Sequence, residues 1–297
     1  MNSITHPSMK LKPSLNQEDY NEILRLKECC LEKEDVTLKL ELDHKRNQSH
    51  NENVKNRINE FMFYDDHTLI GYMGICQFGS EALEVNGMVH PDYRRRGVFK
   101  QLFSLVKDEW NKRESKQMLL LSDHKSRSGI EFIKSTGAHY ENSEHEMHLV
   151  GEPKEAPATT SLHFRKALNQ DAKEIARQNA IYFHTNSEET SLDGMEIFLA
   201  EWNQVIIGKV HIERQNGVGG IYGLGVLPEY RGQGFGREIL MKAVKELREK
   251  QAQQILLQVA VKNKKALSLY ESCGFKETST MDYFKLTDGQ NFYSKFG

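Results

Sequence analysis

This sequence has little of what usually marks special-purpose chemistry. The 297-residue chain has four cysteines, Cys29, Cys30, Cys76 and Cys273, and no two of them are spaced as CxxC. A disulfide frame and a thiolate zinc site are therefore not expected; free thiols in a reducing, cytoplasmic setting are. The twelve histidines include no HExxH. His145 and His148 lie close together in an alternating stretch, which reads as two strand-surface histidines and no metal site. An excess of one charge is also missing: the formal net charge is −2. That excludes nucleic-acid binding driven by bulk attraction. No apolar run approaches the roughly 20 residues that cross a membrane, so no membrane partner is expected. The first seven residues, Met1-Asn-Ser-Ile-Thr-His-Pro7, have neither the basic nor the apolar region of a signal peptide. Proline is scarce, and two of the six prolines, Pro153 and Pro157, fall in residues 151–160. That stretch has no apolar periodicity and is the expected linker between two domains, residues 1–150 and 161–297.

What is present is an order of elements that restarts. In the first half, Asn16-Gln-Glu-Asp19 opens a helix with Asn16 as cap. Residues 61–64 and 69–78 read as a hairpin, and 83–89 as a further strand. A turn at 91–97 precedes a helix over 98–113. A short strand at 118–121, a helix at 126–135 ended by Gly137, and a strand at 146–150 complete the unit. In the second half, a strand at 162–166 and a helix at 169–183 lead to strands at 197–202 and 205–214. A hairpin turn at Asn216-Gly217 then leads to a strand at 221–226 and a helix to Lys250. A strand at 255–261, a helix at 263–272 and two terminal strands from Phe275 onward follow. Both halves read as mixed α/β.

One offset of 137 residues superposes the halves without a gap from about Glu84 to Gly137. It pairs Val89 with Val226, Pro91 with Pro228, Tyr93 with Tyr230, Arg94 with Arg231, Gly97 with Gly234 and Gly137 with Gly274. The first half carries 16 extra residues, placed in the polar 43–59 stretch. Two copies of roughly 140 residues indicate a duplicated domain, since solenoid repeats run about 20–50.

The most informative copy is Val226-Leu-Pro-Glu-Tyr-Arg-Gly-Gln-Gly-Phe-Gly-Arg237. It lies between an apolar strand and an amphipathic helix. Gly232, Gly234 and Gly236 let the backbone approach a ligand closely. A helix starting at about Gly234 turns its free N–H groups and positive dipole end into the turn, which suits a phosphate or pyrophosphate.

Arg231-Gly-Gln-Gly-Phe-Gly236 resembles the acetyl-CoA signature Arg/Gln-x-x-Gly-x-Gly/Ala of the GCN5-related N-acetyltransferases (GNAT). A second mark follows in Val261-Lys-Asn263-Lys-Lys-Ala266-Leu-Ser-Leu-Tyr270-Glu-Ser-Cys-Gly274-Phe275. The resemblance covers both halves and implies two tandem GNAT-like α/β (α+β) domains. Each would have a mixed, mostly antiparallel sheet flanked by helices and splayed between its fourth and fifth strands. It implies that the backbone of Leu224, Gly225 and Val226 pairs with the pantetheine arm of acetyl-CoA. It further implies that Gly232 and the N–H groups of Gln233, Gly234, Phe235, Gly236 and Arg237 surround the pyrophosphate, with Arg231 adding charge. Asn263, with Ala266 on the same helix, implies a further cofactor contact, and Tyr270 a general acid for the departing thiolate. Asn263 and Tyr270 are seven residues apart, two helical turns, and so share one helix face. From the residues alone, Tyr270 also reads as a core tyrosine under Phe275.

The same alignment shows what the first half lacks. Phe99 stands at the position of Gly236, Arg95 at Gly232, Ser126 at Asn263, Gly129 at Ala266 and Ile133 at Tyr270. Isoleucine donates no proton, so the first domain is expected to be degenerate and non-catalytic. Whether it binds CoA is left open. The strand before the second-half turn, residues 218–226, has no acid, which leaves the general base unassigned among Glu201, Glu213, Glu188 and Glu189. Glu84 is an acid on the first half's fourth strand.

The expected activity is transfer of an acetyl group from acetyl-CoA, without a metal, to a primary amine on a small molecule or peptide. The protein is expected to be a monomer or homodimer. Cys273 has no neighbouring base to make it a nucleophile. A non-enzymatic acyl-CoA sensor is the alternative. A Rossmann-type nucleotide fold is disfavoured, because the glycine turn follows an antiparallel hairpin rather than the first strand of a βαβ unit.

Overall fold

The computed structural model describes residues 3–47, 57–77, 82–154, 162–183, 189 and 191–287. Among them the chain runs β1 (Pro7–Lys12), α1 (Gln17–Leu31), α2 (Leu42–Asn47), β2 (Glu60–Asp65), β3 (Thr68–Gln77), β4 (Ala82–Val89), α3 (Val98–Trp110), β5 (Gln117–Asp123), α4 (Arg127–Ser135) and β6 (His139–Leu149). It continues β7 (His163–Lys166), α5 (Ala172–Phe183), β8 (Glu196–Trp202), β9 (Val205–Gln215), β10 (Val218–Val226), α6 (Phe235–Glu249), β11 (Gln254–Ala260), α7 (Lys264–Ser272) and β12 (Phe275–Thr287). The mixed α/β class is as expected. Most of the 43–59 insertion and most of the 151–160 linker lie outside the described residues. No described helix is long and apolar enough to cross a membrane.

The chain forms two compact units, residues 1–143 with 279–297, and residues 144–278. The first unit's sheet has the order β1-β2-β3-β4-β5-β12, antiparallel except for the parallel β4–β5 pair. The second unit's order is β6-β11-β10-β9-β8-β7, antiparallel except for β10–β11. Two sequence expectations need correction here. The strand expected over 146–150 to close the first unit belongs instead to β6, whose residues 144–148 pair with β11 in the second. The two strands expected after Phe275 are one, β12, whose Met281–Thr287 portion pairs with β5. Alternation marks a segment as strand and sets which side chains share a face; it does not name the neighbour.

Local chemistry explains the helix starts. Asn16 Oδ1 accepts from the Asp19 N–H at 2.8 Å, and Asp19 returns a bond to the Asn16 N–H at 3.1 Å, a reciprocal capping box. In the second unit, Phe235, Ile239, Ala243 and Leu247 recur every fourth residue and are fully buried, so one stripe of α6 covers one sheet face. Close approach needs a glycine beneath it: a Cβ on Gly208 would sit 2.5 Å from the Gly225 carbonyl and 3.0 Å from Ile239 Cδ1. The next residue, Lys209, points to the opposite face, toward α5, as strand alternation requires.

Gly208→Ala should therefore destabilise the protein by about 2 kcal/mol through overpacking against backbone. Urea unfolding should show a lower midpoint at unchanged slope.

Candidate active site in the second unit

The site begins where a strand pairing ends. The parallel β10–β11 register runs from Val218↔Gln254 to Ile221↔Leu257 and stops, although β10 continues to Val226 and β11 to Ala260. On its other side β10 stays bonded to β9, through Gly225↔Lys209 and Val226↔Gly208, after a bulge between Tyr222 and Gly225. Gly223 in that bulge has φ +55°, a conformation suited to glycine. Over residues 223–226, the β10 edge facing β11 shows no ladder pairing among the described residues. Backbone groups left unpaired there need water or a ligand. Leu224, Gly225 and Val226, expected to meet a pantetheine arm, lie along this opening.

The turn follows directly. Residues 228–230 form one 3-10 turn, and Arg231 Nε donates to the Val226 carbonyl at 2.8 Å. The Arg231 guanidinium thus ties the turn to the end of its own strand. Gly232 and Gly234 have φ of +80° and +88°, and Gly234 caps α6 in the left-handed region with no side-chain cap. The Arg237 N–H donates to the Gly234 carbonyl at 3.1 Å. No hydrogen bond to the described residues engages the N–H groups of Gln233, Gly234, Phe235 or Gly236, which leaves four donors around a helix start. The Phe235 ring is buried against Trp202 at 5.5 Å, so Phe235 offers the site only its backbone. The Arg237 side chain reaches Ser272 Oγ at the end of α7.

On α7, Asn263 is the N-cap, and its Oδ1 accepts from the Ala266 N–H at 3.2 Å. This is a structural use of both residues, and it leaves the Asn263 amide NH2 as the group able to meet a ligand. Tyr270 is buried on the same helix face, 6.2 Å from Phe275 by ring centroids. The core reading of Tyr270 matches this geometry: its ring packs under Phe275, and burial pushes the phenol up to about 12. Its proton is therefore held throughout the neutral range. The Cys273 thiol is fully buried and also raised by burial, which makes it a poor nucleophile.

The acids weighed as bases fare differently. Glu201 binds Arg165 at 2.7 Å and His163 at 2.8 Å, and these partners hold its carboxyl below the ordinary range against the opposing effect of burial. Glu213 is exposed and 3.4 Å from His211 Nε2. Glu189 is exposed, and Glu188 lies outside the described residues. Sequence reasoning missed Lys209 and His211. Lys209 is 3% exposed, and its Nζ donates to the Gly223 carbonyl at 3.3 Å. His211 stands two residues away on the same strand face, with its imidazole pushed down mainly by burial. The Tyr182 ring lies on Gly225, where an added Cβ would meet it at 2.2 Å. An alternation of Lys209 and His211 within the otherwise apolar 205–212 portion of the strand was the available signal.

The first unit repeats this design with bulkier side chains beside the opening. Its parallel β4–β5 register also stops early, at Val85↔Leu120. Arg94 Nε donates to the Val89 carbonyl at 3.1 Å, as Arg231 does to Val226. Arg95 takes φ +62° where Gly232 stands in the other copy. Phe99, however, packs edge-to-face on Phe132 at 4.7 Å, and Phe132 on Phe103 at 5.6 Å. In the second unit those positions are Gly236, Leu269 and Leu240, and a Cβ on Gly236 would already touch Leu269 at 3.5 Å. A cavity of about 70 Å³ in the first unit is lined by Asn86, Phe99, Phe132 and Ile133, among others. Residues 36–40 border it, with the Thr37 N–H on Asp123 Oδ2 at 2.7 Å and the Asn86 amide on the Lys39 carbonyl.

Comparison with known proteins agrees with this geometry. Residues 163–275 match the family described as Acetyltransferase (GNAT) family. Over 95 residues the chain is 36% identical to a mycothiol acetyltransferase of Thermobispora bispora, covering 30% of this chain and 32% of that protein. Over 71 residues it is 37% identical to the ribosomal protein bS18-alanine N-acetyltransferase of Escherichia coli, covering 24% of this chain and 48% of that one. The chain thus spans between a third and a half of the length of these curated relatives. In structure, a GCN5-related N-acetyltransferase from Sphaerobacter thermophilus superposes with a TM-score of 0.75 at 15% identity, covering 95% of this chain and 97% of that one. A tandem GNAT protein from the clavulanic acid biosynthesis pathway gives 0.70 at 14% identity, covering 96% and 100%. Residues 163–275 thus match the GNAT family, and the chain's fold is similar to that of solved GNAT structures, a tandem one among them.

Gly236→Phe should close the second unit as Phe99 closes the first. Titration should show acetyl-CoA affinity reduced at least about tenfold, equivalent to a loss of about 1.4 kcal/mol. An unchanged far-ultraviolet circular dichroism spectrum would confirm that the fold persists.

Proposed function

We propose that the chain is an acetyl-CoA-dependent N-acetyltransferase acting on a primary amine, with its chemistry in the second unit. The observation that supports this most is the coincidence, in one unit, of an open β10 edge, four unengaged N–H donors and a buried, protonated tyrosine. The residues fit acetyl-CoA: the donors suit a pyrophosphate at a helix start, and Gly236 puts no side chain between the turn and Leu269. Acetyl-CoA would supply the thioester carbon for attack and a thiolate as leaving group.

The roles of the residues follow from their placement. Gln233, Gly234, Phe235 and Gly236 hold the anion by backbone donors. Arg231 fixes the turn that presents them, and Asn263 caps the helix that carries Tyr270. The exposed edge of Leu224–Val226 pairs with the amide-bearing arm. Tyr270 donates to the sulfur as the C–N bond forms and the C–S bond breaks, while the amine's proton leaves to a base or water. Direct attack needs no covalent enzyme intermediate, in keeping with the inert Cys273. The first unit, with Ile133 at the tyrosine position and its opening packed with phenylalanines, is structural. The acceptor is a small-molecule or peptide amine.

A mass-spectrometric screen of amines with purified protein and acetyl-CoA tests this reading; acetyl-CoA binding with no transfer to any amine would favour an acyl-CoA sensor instead. Tyr270→Phe should lower kcat about 100-fold, the lower range for loss of a positioned acid. Because Tyr270 ionises near pH 12, it stays a donor below that value, and the wild-type kcat should show no fall assignable to it up to pH 10.

A further inference from the structure

Lys209 is the least explained group in the second unit. It sits on β9 opposite Gly225, at the bulge beside the opened edge of β10. At 3% exposure it is as buried as the core, and its ammonium is held by one carbonyl, that of Gly223, at 3.3 Å. The rings of Tyr182 and Phe183, at the end of α5, each lie 5.8 Å from it by ring centroid. No carboxylate among the described residues pairs with it. The contrast within the molecule is direct: the buried Lys45 in the first unit is neutralised by Glu60 at 3.0 Å. A buried ammonium without a counter-charge is costly. The carbonyl, the rings and the negative end of α5 offset that cost only in part. Burial alone pushes the Lys209 ammonium down to about 8, so near neutrality it still carries most of its charge.

We propose that Lys209 is a specificity-determining residue that receives a carboxylate of the amine acceptor, so that the acceptors of this protein are amines carrying a carboxylate. The inference rests on the acetyltransferase reading above. The ammonium has three donors and spends one on Gly223, leaving two for a ligand. Phe183, one of the two rings over the ammonium, is 52% exposed and is the ring an incoming carboxylate would displace. A single buried ammonium matches a monoanion; a phosphate dianion would call for further cations, and His211 is held largely neutral by burial. The attacking nitrogen needs no acid on β10 to find it, because the carboxylate anchors the molecule beside the bulge. Proton removal then falls to His211 or water.

The test uses the full chain, acetyl-CoA and matched amine pairs: phenylalanine, β-alanine and 4-aminobutyrate, each against its carboxamide, with phosphoethanolamine against ethanolamine. For the best carboxylate the acid should exceed its amide at least about tenfold in kcat/KM, chiefly through KM. Lys209→Met should collapse that ratio toward one, and Lys209→Arg should restore most of it. Thermal melting of both variants separates loss of fold from loss of preference. Amides acetylated as well as acids, a preference confined to phosphoethanolamine, or a ratio unchanged in Lys209→Met would overturn the proposal while leaving acetyl transfer standing. If no amine of either kind is acetylated, the acetyltransferase reading fails and this proposal with it.

Discussion

Everything at the candidate site depends on the early end of one strand pairing. β10 and β11 share four parallel pairs and then part, while both strands run on. Backbone donors and acceptors in a sheet are normally satisfied by a neighbour; here a stretch of β10 is held on one side only. The bulge at Gly223 turns the strand as it leaves, and the Val226 carbonyl at its end is taken by Arg231 rather than by another strand. The glycine turn, the unengaged N–H groups and the start of α6 follow within a dozen residues. The opening is therefore built into the backbone before any side chain is considered, and the side chains decide what enters it.

The two units show how side chains make that decision. Both copies stop their parallel pairing after four residues, and both close the turn with the same arginine-to-carbonyl bond. Those shared features maintain the fold. The differences are few and local. Phe99 and Phe132 pack against each other where Gly236 and Leu269 leave room, and Ile133 replaces Tyr270. A duplicated scaffold can thus keep its architecture while its two copies differ in the side chains that line the opening.

Much of this was legible in the sequence. The 137-residue offset aligned Arg94 with Arg231 and Phe99 with Gly236, which is the contrast the structure displays. Cap chemistry at Asn16 and the amphipathic run of α6 were readable because they depend on near neighbours in the chain. Partner choice between distant strands was not readable. Residues 144–148 and 281–287 alternate as strands should, yet nothing in that alternation says which sheet they join. The bond from Arg231 to a carbonyl five residues back was not readable for a related reason: it depends on the turn's three-dimensional path. Lys209 was passed over because strand lysines are usually solvated; its burial comes from α5, packed across the sheet from a different part of the chain.

The most direct measurement of the central claim follows backbone amides by nuclear magnetic resonance while acetyl-CoA is added to isotopically labelled protein. The account predicts that the amides of Gln233, Gly234, Phe235 and Gly236 shift in a saturable way, and that those of Arg95, Arg96, Gly97 and Phe99 do not. Saturable shifts confined to the first-unit turn, or none in either, would contradict it.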